Sequence, residues 1–253
     1  MGSPSVPDDI EPSGTLVLTS LAPGAVGAAP ALPGTAIGRG RSRRLAPESS
    51  GNGALPRLRA VFLDRDGVLN RAFVRDGRPH PPARVDDLEV LPGVAAAVER
   101  LREAGFQAIV VTNQPDIARG TTSPGDVDAI HRTLTSVVPI DEVLVCPHDD
   151  ADGCGCRKPL PGLLVDAAER RGIDLASSVM VGDRWRDVEA GRAAGCRTVF
   201  VDRGYREPRP TGSDAEVPDL PAAVTWILGH APGSSAATRP ADPACSPASH
   251  RDR

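Results

Sequence analysis

Arg59-Ala-Val-Phe-Leu-Asp-Arg-Asp-Gly67 is a short apolar run that stops on two carboxylates and a glycine. The run has the length of a strand, and its unbroken apolar character suits a strand buried on both faces, as in a parallel sheet. Downstream, Val94, Ala97, Val98, Leu101 and Ala104 recur at helical spacing, and Gly105 supplies a stop. Residues 106–111 form a second apolar run, and Ser123-Pro124 offers an N-cap and a first-turn proline to a helix carrying Val127, Ile130 and Leu134. Strands are then expected over 142–145, 179–181 and 198–201, and helices over 163–171, 188–194 and 220–228, with Gly172 and Gly195 ending the first two. This alternation predicts an α/β fold with a doubly wound parallel sheet, whose ligands collect at the carboxyl ends of the strands.

The pattern fades on either side. Residues 1–56 hold 8 Pro and 9 Gly and few large apolar residues, too little to offset the entropy of ordering, so they read as a disordered arm. Residues 229–253 read as a disordered tail for the same reason, which leaves 57–228 as one domain. The apolar stretch from Thr15 to Ile37 fails as a secretory signal: Asp8, Asp9 and Glu11 precede it, and Pro23, Pro30 and Pro33 interrupt it. No run reaches the roughly 18 apolar residues of a membrane helix, so a cytoplasmic protein is expected. A formal net charge of -4 gives no general attraction to nucleic acid or anionic membrane. The local cluster of Arg39, Arg41, Arg43 and Arg44 reads as a solvated tail.

The chemistry is expected where strands end. Asp64 and Asp66, two apart past a buried strand, aim their carboxylates to one side while Arg65 points away, and Gly67 lets the chain turn. Asp-x-Asp-Gly alone is common in turns. It gains meaning from Thr112 after the next strand, Lys158, and Asp183 after a later strand, which add a hydroxyl, a cation and a further carboxylate. A second constellation, Cys146-x-His148-x5-Cys154-x-Cys156, has the ligands of a closed tetrahedral Zn2+ site. With all four positions taken by protein, that zinc is structural, and it pins the loop delivering Arg157 and Lys158. Cys196, after Gly195, reads as core, and Cys245 lies in the tail.

Asp64-Arg-Asp-Gly-Val-Leu-Asn70, Thr112-Asn-Gln-Pro-Asp-Ile-Ala-Arg-Gly120, Cys156-Arg-Lys-Pro159 and Val181-Gly-Asp-Arg-Trp-Arg-Asp187 together resemble the four motifs of the haloacid-dehalogenase superfamily phosphatases. Within it the chain is similar to the branch of the D-glycero-D-manno-heptose 1,7-bisphosphate 7-phosphatases and the histidinol-phosphate phosphatases. The resemblance implies Asp64 as nucleophile and Asp66 as general acid and base. It implies Mg2+ held by Asp64, the Asp66 carbonyl and Asp183, with Thr112 and Lys158 on the phosphoryl oxygens. It places Asn113, Gln114, Arg157 and Arg184 on the substrate, and Asp187, one turn past Asp183, as a group that holds the site together. The partner it implies is a small phosphorylated metabolite bound by a monomer, with no nucleic acid and no membrane.

Two features divide the branch. Ile117-Ala-Arg-Gly120 looks like the heptose enzymes, whereas Pro115-Asp116 departs from their Ser-Gly and the five-residue gap between His148 and Cys154 is the short form of the histidinol-phosphate enzymes. The loop beside the phosphate-binding threonine can touch substrate directly, so a sugar bisphosphate is expected, with histidinol phosphate as the alternative. The stretch from Arg71 to Leu91 is too short for a large cap, so an open site closed by short loops is expected. The rival of another class is a zinc-stabilised module docking on nucleic acid with vestigial acidic motifs. It sits poorly with an intact set of Asp64, Asp66, Thr112, Lys158 and Asp183 and with 3% aromatic residues.

Overall fold

The computed structural model describes residues 58–230. The arm over 1–56, its arginine cluster, Cys245 and all but the first two residues of the expected tail lie outside the described residues. The elements run β1 (Arg59–Leu63), β2 (Phe73–Arg75), β3 (Arg78–His80), α1 (Val94–Glu103), β4 (Phe106–Asn113), α2 (Pro124–Val137) and β5 (Glu142–Cys146). They continue with α3 (Gly162–Arg171), β6 (Val179–Gly182), α4 (Trp185–Ala194), β7 (Arg197–Val201), β8 (Ala215–Val217) and α5 (Leu220–Gly229). Six strands pair in parallel in the order β5-β4-β1-β6-β7-β8.

The alternation of β1 explains the layering. Val61 and Leu63 pack into one core with Val98 and Leu101 of α1 and Val224 and Ile227 of α5. Ala60 and Phe62 pack on the other side with Leu164 and Ala167 of α3. Both faces of the strand are therefore dry, as its unbroken apolar run requires. Cys196 joins the second core. Helix ends follow local chemistry: the Ser123 hydroxyl accepts from the Asp126 N–H at the start of α2, and Gly172 and Gly195 take left-handed conformations after α3 and α4.

The chain leaves β1 for β4 and β5 on one side, then crosses back to β6 and β7 on the other. That reversal opens a crevice at the carboxyl ends of β1, β4 and β6. The short antiparallel hairpin of β2 and β3 stands apart from this sheet. Its two-residue turn is Asp76-Gly77, both at positive φ, which is the mirror-image turn that matches strand twist. No helix among the described residues is long and apolar enough to cross a membrane.

Candidate active site

The crevice gathers the residues expected from the strand ends. Asp64 follows β1, Thr112 lies near the end of β4, and Asp183 follows β6; all three are buried. Lys158 arrives from the loop before α3, and its Nζ donates to Asp64 Oδ1 at 2.6 Å and to the Val111 carbonyl at 2.7 Å. The same ammonium pairs with Asp187 Oδ1 at 2.6 Å. Asp187 is thus buried at the base of the site, where its other oxygen accepts from the Arg184 N–H. A Cβ at Gly182 would collide with the Asp187 side chain, so glycine there is what admits the carboxylate.

The fate of each carboxylate depends on its neighbours. Burial pushes Asp64 up to about 6, Lys158 pulls it down, and Asp187 and Asp66 push it up again. Burial, followed by the charges of Asp64 and Asp187, lifts Asp183 well above the carboxylate range. Burial also acts on Asp66, but the Arg65 guanidinium and donors on Arg65, Asn70 and Gln114 outweigh it and hold the carboxyl low. Lys158 is raised: burial opposes its charge, and Asp187 and Asp64 overcome that.

Asp183 carries the clearest sign of a missing partner. Both of its oxygens are buried and accept no well-formed hydrogen bond, with the Tyr205 hydroxyl as the donor beside them, a state that a cation or ordered water would satisfy. Oxygens of Asp64, Asp183 and Asp187 lie within 4.8 Å of one another. A Cβ at Gly67 would strike Asp183, so the turn after Asp66 presses directly on this carboxylate. Asp187 is already neutralised by Lys158, and the Asp66 carboxylate is turned to Arg65, Asn70 and Gln114. Asp64 and Asp183 are left to offer carboxylate oxygens to a small hard cation, ligands that suit magnesium with waters completing the set.

Arg65 departs from the simple alternation expected of it. Its side chain does leave the cleft, but it is fully buried and folds back to bind both Asp66 oxygens at 3.0 and 2.9 Å. Its Nη1 contacts His131 Nε2 on α2 at 2.9 Å. Arginine has only donors, so this imidazole nitrogen accepts and the ring is neutral. Burial first, and then the Arg65 charge, hold His131 down to about 4. Nothing in the spacing of residues 59–67 announces His131, because the contact depends on how α2 packs.

Asn113 and Gln114 line or flank the cleft, but their amides face inward. Asn113 Oδ1 accepts from the Lys158 N–H and its Nδ2 donates to the Lys158 carbonyl, a two-point clamp on that loop. Gln114 Nε2 donates to Asp66 Oδ2 and Thr112 Oγ1, leaving the threonine proton free to point elsewhere. Arg157 and Arg184 both line the cleft. Arg157 donates to Asp150 and the His148 carbonyl, and Arg184 forks onto Glu207. The cleft holds about 270 Å³, at the small end of ligand cavities, and Arg78 and His80 of the hairpin form one wall.

The second constellation also closes. Cys146 ends β5, and its sulfur lies 3.6 Å from His148 Nδ1, 3.7 Å from Cys154 Sγ and 3.4 Å from Cys156 Sγ. His148 Nδ1 and Cys156 Sγ are 3.3 Å apart, and no disulfide joins the thiols. A tetrahedron with Zn–S bonds of about 2.3 Å has edges of about 3.8 Å, so these four donors, a few tenths of an ångström closer together, are gathered at the spacing of a zinc site.

The family model described as HAD-hydrolase-like matches residues 155–225. D-glycero-beta-D-manno-heptose-1,7-bisphosphate 7-phosphatase of Bordetella bronchiseptica is 37% identical over 155 residues, covering 58% of this chain and 82% of that protein. The D-glycero-D-manno-heptose-1,7-bisphosphate 7-phosphatase of Thermosynechococcus vestitus is 39% identical over 194 residues, covering 68% of this chain and 96% of its own length. A crystal structure of the B. bronchiseptica enzyme with magnesium and phosphate superposes with a TM-score of 0.60 at 35% identity, covering 69% of this chain and all of that one. The binding module with vestigial motifs is thereby set aside. With its parallel sheet, its clustered carboxylates and these relatives, the chain belongs to the haloacid-dehalogenase superfamily phosphatases, in the branch of the D-glycero-D-manno-heptose-1,7-bisphosphate 7-phosphatases.

Proposed function

We propose that this phosphatase is magnesium-dependent and hydrolyses the 7-phosphate of D-glycero-D-manno-heptose 1,7-bisphosphate through an aspartyl-phosphate on Asp64. The observation that carries the chemistry is the pairing of Asp64 with Lys158 beside a buried Asp183 whose two oxygens accept no well-formed hydrogen bond. The substrate rests on the named relatives, which match over most of their own length.

Asp64 attacks phosphorus with a carboxylate oxygen while the bond to the leaving sugar oxygen breaks. Asp64, Asp183 and the Asp66 carbonyl would hold a divalent cation, which would supply positive charge between the two anions as they approach. Lys158, fixed by Asp187, Val111 and the Asn113 clamp, places a second positive charge at the attacking oxygen. Thr112, its oxygen occupied by Gln114, donates its proton to the phosphoryl group. Asp66 protonates the departing oxygen, then takes a proton from the water that cleaves the acyl-phosphate, so Asp64 is regenerated and phosphate released. Both Asp66 oxygens accept hydrogen bonds in this structure, so loading it with a proton requires one of its donors to let go. Arg157 lines the cleft with its Nε held by Asp150 and its Nη1 by the His148 carbonyl, which fixes the side chain beside the substrate.

The test compares kcat/KM for D-glycero-D-manno-heptose 1,7-bisphosphate and histidinol phosphate, with Asp64→Asn as the blank. The bisphosphate is expected to be preferred, and Asp64→Asn to be inactive because an amide forms no acyl-phosphate. Magnesium-dependent turnover by purified Asp64→Asn would remove the nucleophile, and preference for histidinol phosphate would remove the substrate.

A further inference from the structure

The guanidinium groups around the cleft differ in what already holds them. Arg157 and Arg186 share Asp150, Arg119 is held by Asp149 and Asp116, and Arg184 by Glu207. Arg78 lines the same cleft, is exposed, and makes no hydrogen bond or ion pair among the described residues. An anion reaching Arg78 displaces no carboxylate, whereas one reaching Arg184 competes with a forked pair.

The hairpin that carries Arg78 shows the same surplus of positive charge. Strand register sets Arg75 directly opposite Arg78, and like charges across a strand pair repel. Nor does the ribbon hang free. The Arg206 N–H donates to the Gly77 carbonyl at 2.8 Å, and a Cβ at Gly77 would run into the Arg206 side chain. Docked in this way, Arg78 faces a cleft that also contains Asp64 and Lys158. His80, two residues along β3 and so on the same face, lines it too.

We propose that Arg78 recognises the second anionic group of the substrate, the phosphate that is not hydrolysed, with His80 as its neighbour on the same wall. This rests on the bisphosphate substrate proposed above. A guanidinium presents paired donors that match phosphate oxygens, so the unpaired Arg78 supplies both charge and geometry at the end of the substrate remote from Asp64.

The experiment measures kcat/KM for D-glycero-D-manno-heptose 1,7-bisphosphate and for the corresponding heptose 7-phosphate, and takes their ratio. Wild type is expected to favour the bisphosphate. Arg78→Ala should lower the ratio by about tenfold or more, the scale of a lost hydrogen bond to a charged group, with KM changing more than kcat. Arg78→Lys should restore part of it, keeping the charge without the fork. Arg75→Ala, on the same hairpin but off the cleft wall, should keep the wild-type ratio. A wild-type ratio in Arg78→Ala overturns this proposal and leaves the bisphosphate substrate standing. Equal losses in Arg75→Ala and Arg78→Ala overturn the assignment to Arg78 in favour of the hairpin as a whole. A wild-type ratio near one overturns the bisphosphate substrate, and this proposal with it.

Discussion

Asp187→Asn tests whether the group behind the lysine is part of the machinery. A solvated residue in the first turn of α4 would tolerate the change within about 0.5 kcal/mol. The structure gives a different expectation, because Asp187 is buried and its carboxylate binds Lys158 at 2.6 Å and the Arg184 N–H at 2.9 Å. Removing one partner of a buried ion pair costs about 3–5 kcal/mol when the other charge is left alone. Lys158 keeps Asp64 and the Val111 carbonyl, and asparagine keeps an oxygen, so a loss of about 2 kcal/mol is reasonable. For a domain of this size that corresponds to a fall in Tm of roughly 4–8 °C. Thermal unfolding should be followed at fixed magnesium and zinc, since either ion shifts Tm by binding only the folded chain. Lys158, left to pair with Asp64 alone, should also neutralise the nucleophile more completely, so kcat should drop while KM moves less. An unchanged Tm together with wild-type kcat would refute the placement of Asp187 as the anchor of Lys158.

Loss of one zinc per chain on Cys154→Ser or Cys156→Ser, read by elemental analysis, should lower Tm and activity together, because the same loop carries Arg157 and Lys158; a zinc-free preparation with wild-type Tm and activity would show the four donors to be incidental. His131, held down to about 4 from an ordinary 6.5, binds its proton more readily in the unfolded chain, so its contribution is intact above pH 6.5 and is lost as pH falls through about 4. A tenfold change in proton affinity is worth about 1.4 kcal/mol, which sets a ceiling on the order of 3 kcal/mol. His131→Gln keeps an acceptor for Arg65 without titrating, so denaturant unfolding should show a flatter loss of stability between pH 6.5 and 4 than wild type, and identical slopes would refute the assignment.

Much of the sheet is legible because its strands are buried on both faces and declare themselves as apolar runs with polar ends. The second apolar run stops at Val111, whereas β4 extends to Asn113 because the ladder with β5 continues through Thr112 and Asn113. The helix expected from 188 begins at Trp185, since the Asp187 carboxylate accepts from the Arg184 N–H across its first turn, a contact that hydrophobic spacing does not register. The hairpin of β2 and β3 escapes a reading by apolar pattern for the opposite reason. Its residues are largely exposed and carry no core-facing alternation. The signal for it is Asp76-Gly77, a dipeptide that favours this turn, but three-residue strands give it little to flank.

The site divides along the same physical line. Asp64, Thr112, Lys158 and Asp183 can be picked out because each must project from a strand end or a tethered loop into one crevice, and that demand fixes residue type and order. What the side chains bind once there is set by packing between distant elements. Arg65 has the spacing of a residue turned away from the cleft, yet it is the fully buried link from Asp66 to His131, and only the position of α2 makes that contact possible. Asn113 and Gln114 follow Thr112 and so read as substrate ligands, but one clamps the Lys158 backbone and the other joins Asp66 to Thr112. Arg157 and Arg184 read as substrate-binding residues from the sequence, and the acids that hold them, Asp150 and Glu207, lie 7 and 23 residues away and meet them only in the fold. Charge in a cleft is therefore a poor guide to recognition until its pairing is known. Among the described residues that line this cleft, the guanidinium left unpaired is Arg78, on the hairpin that apolar periodicity does not reveal.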